Sequence, residues 1–324
     1  MVWLAHILCS LSLKWVWFVH DSSSILIESL LQVNGFNLTM TYHRGSDVRI
    51  PFGSIVSVAH PPRTDWVAVT KKKYREALWI ASDCYTRSNR EEYIKILQKY
   101  IDVDVVGKCS AGKKEWNCGK RYVHDDCYNV LNDYKFFLAF ESSLCEDYIT
   151  AKIFENYNYD VVIVVRGGNF RNNTSQVLQG ATYINVDSFE SIEALGLYLQ
   201  ELGRDVHQYA SILESKSRTV ALPFHHVYQN SLCTLCDTIH SMSSGNGQYK
   251  HYTDLREFYS EDTYCSKPVD LTETAHLQEN NITLMVDPIV RYKHKRILVT
   301  TGHYWYRRWR QRCSYRRWRS CKGR

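Results

Sequence analysis

The chain has 324 residues, 44% hydrophobic and 23% charged, with 23 Tyr and 9 Trp; this composition fills globular cores, suits about two domains, and excludes a disordered, collagenous or coiled-coil polypeptide. The formal charge is +6, but eight Arg and one Lys with no acid fall between His303 and Arg324, and without them 31 basic residues face 34 acidic ones. The body is therefore mildly acidic, and nothing outside the last stretch supports a nucleic-acid partner.

Met1 to Val19 is apolar but carries His6 and Lys14; it lacks a basic leading region and falls short of a ~20-residue span, so it reads as neither signal peptide nor anchor. Within it Lys14-Trp-Val-Trp-Phe-Val19 is a buried strand by its aromatic and β-branched content. Phe36–Tyr42 is a second extended stretch, and Pro51, Pro61 and Pro62 interrupt the residues after it. Ala77–Ala81 is a strand. Ser88 with Glu91 three residues on reads as a capping box opening a helix whose apolar face is Tyr93, Ile96, Leu97 and Tyr100. Val103–Val106 is the next strand, completing a strand–helix–strand unit with parallel pairing.

The pattern recurs. Tyr134–Glu141 is a strand, Thr150–Tyr157 a helix, and Val161–Val165 a fully buried strand ending in Arg166-Gly-Gly168. Tyr183–Val186 is a strand, and Ser191 caps a helix with Ile192, Leu195, Leu199 and Leu202 inward. Strands alternating with helices define an open, doubly wound α/β domain over about 75–220, with its ligand at the carboxyl ends of the strands. After Ala221 the alternation stops, and polar, cysteine-bearing segments run to Leu271. Beyond Thr272 no element is legible. Tyr306-Arg-Arg-Trp-Arg recurs at Tyr315, a low-complexity repeat.

Eleven cysteines and the sequons at Asn37, Asn172, Asn173 and Asn281 point to a secretory lumen with disulfides, although chance sequons and core cysteines would look the same. Cys233-Thr-Leu-Cys236 lacks the second pair a zinc site needs, and His225-His226 just before it reads as a loop.

Two helices begin with a cation where the helix dipole disfavours one: Arg90 after Ser88, and Lys152 after Thr150. A bound diphosphate would account for both; so would pairing with Glu91 and Glu155. No P-loop and no GxGxxG after the first strand is present, which excludes the common nucleotide-binding signatures. Asp102-Val-Asp104 imitates an acid-x-acid metal motif but sits where a helix turns into a strand, a place for capping acids.

The stretch Tyr134-Lys-Phe-Phe-Leu-Ala-Phe-Glu-Ser-Ser-Leu-Cys-Glu-Asp-Tyr-Ile-Thr-Ala-Lys-Ile-Phe154 resembles the donor-site signature of the α-1,3-fucosyltransferases, glycosyltransferase family ten. Further matching stretches are Phe36 to Tyr42 followed by Ser46-Asp47 and Pro51 to Gly53, then Ser82 to Arg90, Val103 to Cys109, Asp160 to Gly168, Cys233 to Cys236 and Phe258 to Cys265. The resemblance implies an α/β fold of GT-B type, two Rossmann-like domains with the N-terminal one incomplete. Residues 1–74 would be the remnant of the acceptor-side domain and 75–220 the GDP-fucose domain. Residues 221–271 would form a cysteine-containing C-terminal segment and 272–324 a disordered basic tail.

It further implies inverting transfer of L-fucose from GDP-fucose to the N-acetylglucosamine of a glycoprotein glycan, without a metal. The setting would be the luminal side of the Golgi membrane, through an anchor preceding Met1. By position Arg90 and Lys152 neutralise the diphosphate, and Ser82, Tyr148, Phe137, Ser142 and Glu141 line the donor site. The family's basic Glu falls on Asp21, one methylene shorter, within Trp17-Phe-Val-His-Asp-Ser-Ser23. Ala151 replaces a Glu that holds ribose, Ser142 an Asn, and Ile163 a Pro. These departures leave an inactive relic that still binds nucleotide sugar as the alternative.

Overall fold

A computed structural model describes residues 2–9, 12–25, 31, 35–110, 130–168, 176–244, 250–260 and 264–271. In chain order its elements are β1 (Val2–Cys9), β2 (Ser12–Val19), β3 (Leu38–Thr41), β4 (Val48–Arg49), β5 (Gly53–Ser57), α1 (Trp66–Lys71), β6 (Arg75–Ile80), α2 (Arg90–Leu97), β7 (Val103–Val106) and β8 (Tyr134–Phe140). Next come β9 (Leu144–Cys145), α3 (Ala151–Asn156), β10 (Val162–Arg166), β11 (Ile184–Asn185), α4 (Ile192–Arg204), α5 (Val206–Lys216), β12 (Thr219–Pro223), α6 (Phe224–Ser243), α7 (Arg256–Tyr259) and β13 (Cys265–Ser266).

The sheet that matters for function has the order β11-β10-β8-β6-β7, all parallel. Strand β8 shows why both of its faces are covered. Phe136, Leu138 and Phe140 pack with Tyr93 and Leu97 of α2, Leu195 and Leu199 of α4 and Tyr209 of α5. The alternate residues Phe137 and Ala139 pack with Ile153 and Phe154 of α3, Leu178 and Ala221. A strand apolar at every position is the mark of a buried parallel strand, and period two sends its side chains to opposite layers. The expected alternation of strands and helices around a parallel sheet is thereby borne out, and α4 starts as expected with the Ser191 hydroxyl accepting from the Ala194 N–H.

A second sheet, β1-β2-β3-β4, is antiparallel between β1 and β2 and parallel beyond. Its face of Val16, Leu38, Met40, Val48 and Ile50 is covered by Leu235, Ile239 and Met242 of α6. Beside it an aromatic cluster holds Trp17, Phe36, Tyr42, Tyr148 and Tyr259.

Several expectations need correction. The capping box at Ser88 does not form: α2 is preceded by Asn89 in the left-handed region at φ 47° with no side-chain cap. Glu91 instead accepts from the N–H and hydroxyl of Thr86, and the Ser88 hydroxyl donates to the Glu141 carbonyl. His225-His226 is no loop, because both lie in the 20-residue helix α6, which continues past Cys233 and Cys236. Those two cysteines are disulfide-bonded, and Cys84–Cys109 and Cys145–Cys265 are also bridged. Asn37 is buried, its side chain accepting from the Trp15 N–H and donating to the Lys250 carbonyl, so that sequon presents no free amide. Asp104 takes Arg75 and the Tyr134 hydroxyl as partners, a structural role. The sequons at Asn172, Asn173 and Asn281 and the basic tail lie outside the described residues, and no helix among the described residues is long and apolar enough to cross a membrane.

Candidate diphosphate site at the sheet's carboxyl edge

From β6 the chain moves outward to β7, then returns past β6 to β8. Strand order therefore reverses between β6 and β8, and ligands of such sheets bind beyond the carboxyl ends of the strands at a reversal of this kind. Arg90 occupies that position. It is the first residue of α2 and only 3% exposed; its Nη1 donates to the carbonyl of Phe140, which ends β8, at 2.8 Å, and its Nη2 to the Asp83 carbonyl at 3.2 Å. The guanidinium lies 5.8 Å from the Trp79 ring centroid. Burial lowers its pKa from the usual value, opposed by the charges of Glu141 and Glu91. Its Nε is buried without a hydrogen-bond partner. An unspent charged donor beside an uncapped helix N-terminus is a seat for an anion.

Lys152 reaches the same edge from the next unit. Glu141, directly after β8 and 0% exposed, accepts from the Thr150 N–H at 2.8 Å and from the Thr150 hydroxyl and Lys152 Nζ at 2.9 and 3.0 Å. Lys152, with its side chain 32% exposed, still offers donors outward. Gly167 makes room for this arrangement, since at its φ of 131° a Cβ would lie 2.9 Å from the Cβ of Glu141. Two cations thus converge on consecutive residues, Arg90 on the backbone of Phe140 and Lys152 on the side chain of Glu141.

The other expected residues divide. Tyr148 is buried, which pushes its phenol pKa up; the charges of Glu141 and Asp21 act in the same direction, while a Ser142 hydrogen bond and the Arg90 charge oppose it. Ser142 thus hydrogen-bonds that ring, and the charges of Asp21, Arg90 and Glu141 act on it through space. The Asp21 carbonyl accepts the Tyr259 hydroxyl at 2.6 Å, which fixes the end of β2 against the C-terminal segment. Ser82 is exposed on the turn after β6, at the same edge of the sheet. Phe137 is 2% exposed and packs under the sheet, paired with Leu78 and Ile163. The alternation that sends Phe136 to one layer sends Phe137 to the other.

Sequence reasoning missed the residues that join the two sheets. Arg44 donates through Nε and Nη2 to the Asp147 carboxylate, at 3.0 and 2.9 Å, and lies 3.2 Å from Glu146. The ligand atoms of His43, Glu146 and Asp147 also gather within 4.8 Å of one another, with the Arg44 guanidinium already neutralising the two acids. The Ser22 and Ser24 hydroxyls both donate to Ser143. Arg44 carries no sequence signal, whereas Ser143, Glu146 and Asp147 lie inside the Tyr134–Phe154 stretch that carries the resemblance.

Fold and site together describe a doubly wound α/β protein in which Arg90 and Lys152 are bonded to consecutive residues at the carboxyl end of β8. Comparison with known proteins is more specific. The model described as glycosyltransferase family 10 (fucosyltransferase), C-terminal part, matches residues 70–258, and the chain belongs to that family. It is 32% identical over 243 residues to alpha-(1,3)-fucosyltransferase C of Drosophila melanogaster, covering 69% of this chain and 54% of that one. Glycoprotein 3-alpha-L-fucosyltransferase A of the same organism is 32% identical over 237 residues, covering 72% of this chain and 45% of that one. The chain thus spans about half the length of these curated relatives. A crystal structure of an alpha1,3-fucosyltransferase aligns with a TM-score of 0.35 at 21% identity, covering 46% of this chain and 38% of that one.

Proposed function

We propose that the protein transfers L-fucose from GDP-fucose, with inversion, to the N-acetylglucosamine of a glycoprotein glycan in α-1,3 linkage. The observation that carries this reading is the convergence of Arg90 and Lys152 on Phe140 and Glu141. In the reaction the Asp21 carboxylate takes the proton of the acceptor hydroxyl as that oxygen attacks C1 of fucose, and GDP departs from the opposite face. Charge growing on the diphosphate falls to Arg90 and Lys152 with no metal ion required. Tyr148, Ser142 and Ser82 line the donor. Glu141 is a positioning residue, spending its carboxylate on Thr150 and Lys152.

In this reading residues 75–220 form the donor domain and 1–74 belong to the acceptor side. The setting is the luminal side of the Golgi membrane. A second reading, an inactive relic that retains nucleotide-sugar binding, is favoured by Ala151, which opens α3 without the acid that would hold ribose. The test incubates the chain with GDP-fucose and an N-acetyllactosamine acceptor, with and without EDTA. Fucosylated product unaffected by chelation is expected. Bound GDP without product would select the relic, and product lost on chelation would overturn the metal-free role of the two cations.

A further inference from the structure

Arg166 ends β10 at the same carboxyl edge, 1% exposed, and the proposed reaction does not use it. Its Nε and Nη2 donate to the two carboxylate oxygens of Asp270 at 2.7 and 2.8 Å, and its Nη1 donates to the Ser88 carbonyl at 2.8 Å. The guanidinium also lies 4.8 Å from the Tyr93 ring centroid of α2. Asp270 belongs to the short 3-10 turn Val269–Leu271, so the C-terminal segment crosses back over the sheet to make this pair.

Ser88 is the residue acted upon. It is 0% exposed, its N–H donates to the Ser142 carbonyl at 3.1 Å, and its hydroxyl donates to the Glu141 carbonyl at 2.6 Å. Its own carbonyl is taken by Arg166. That carbonyl belongs to the peptide between Ser88 and Asn89, which immediately precedes the left-handed φ of 47° at Asn89. A non-glycine residue persists there only where its surroundings over-determine it. One residue further on comes Arg90.

We propose that Arg166 and Asp270 are a positioning pair for donor binding: the C-terminal strap, through Arg166 and Ser88, fixes the turn that delivers Arg90 to the diphosphate. The inference rests on the donor-site reading of Arg90 and Lys152. Arg166 does not touch the donor. Arg166 is buried but the Asp270 side chain is 31% exposed, so solvent screens the pair and its effect lies in the geometry it imposes.

The test titrates GDP into the 324-residue chain and into Arg166→Met, Asp270→Asn, the double variant and Arg166→Lys, with thermal melting alongside. Asp270→Asn strands a buried guanidinium and lowers the melting temperature, whereas the double variant removes both charges and melts near the unaltered chain. The dissociation constant of the folded fraction does not depend on how much is folded; the stoichiometry does. The expected result is a dissociation constant raised about tenfold in Arg166→Met and in the double variant, the scale of one lost charge-assisted hydrogen bond. Arg166→Lys should fall between. A double variant that binds GDP as tightly as the unaltered chain, with only stoichiometry lost in the single variants, overturns this inference alone. Failure of the unaltered chain to bind GDP overturns it together with the donor-site reading.

Discussion

Glu141→Gln tests the link between fold and site most economically, because it changes charge and almost no volume. The native carboxylate is 0% exposed and satisfied by Thr150 and Lys152 at 2.8 to 3.0 Å. In the variant one oxygen becomes an amide nitrogen, a donor facing donors. The Thr150 hydroxyl can rotate to accept from it, but the Lys152 ammonium cannot. The loss is one charge-assisted hydrogen bond, for which ~1.5–3 kcal/mol is usual. Lys152 is a third exposed and recovers part of this from water, so the expected destabilisation is about 2 kcal/mol. Arg90 loses a favourable neighbour as well, since the Glu141 charge holds its pKa up against burial. Urea unfolding followed by tryptophan fluorescence should show the drop, and GDP titration should show affinity reduced about tenfold as Lys152 leaves its place. An unchanged unfolding midpoint together with unchanged GDP affinity would refute the argument that this carboxylate aims Lys152.

Asp21→Asn should reduce fucosyl transfer by on the order of 10²–10⁴-fold while GDP affinity stays the same; equal loss of both would place Asp21 in donor binding. Lys216 and Lys73 are buried, with pKa values pushed down to about 7 and about 8 by desolvation. Unfolded lysine keeps its proton through that range, so folding releases protons above neutrality and stability rises with pH. Unfolding midpoints at about pH 6 and about pH 9 should differ less in Lys216→Met than in the unaltered chain, and equal differences would contradict the buried charge. Replacing both Cys145 and Cys265 by Ser removes a bridge across 120 residues; chain entropy puts the cost at about 5 kcal/mol, read as a lower melting temperature under oxidising conditions.

The doubly wound half was largely legible in the sequence, because β8 and β10 are buried on both faces and α4 carries a clean helical period. Cations at the starts of α2 and α3 were visible because each violates the dipole preference. What escaped notice was non-local. The capping box at Ser88 fits the sequence pattern, but the sheet claims that serine for Glu141 and Ser142, bonds formed across more than 50 residues. Helix α6 shows Val227, Leu235, Ile239 and Met242 at helical spacing, a signal obscured by its histidines, threonines and cysteines. Tyr259 and Asp270 carried no local sign, since their roles exist only once the C-terminal segment folds back on Asp21 and Arg166. The layer in which Phe137 packs was not legible either, because resemblance supplies a position but not the face to which a strand residue points.

The central claim is that Arg90 and Lys152 together hold the departing diphosphate. A crystal structure of the chain with GDP, grown with chelator present, measures this directly. The account predicts pyrophosphate oxygens at the amino end of α2, within hydrogen-bond reach of both the Arg90 guanidinium and the Lys152 ammonium. A diphosphate bound elsewhere, for example in the cleft of about 410 Å³ lined by Asp47, Asp237 and Lys250, or contacting only one of the two cations, would contradict it.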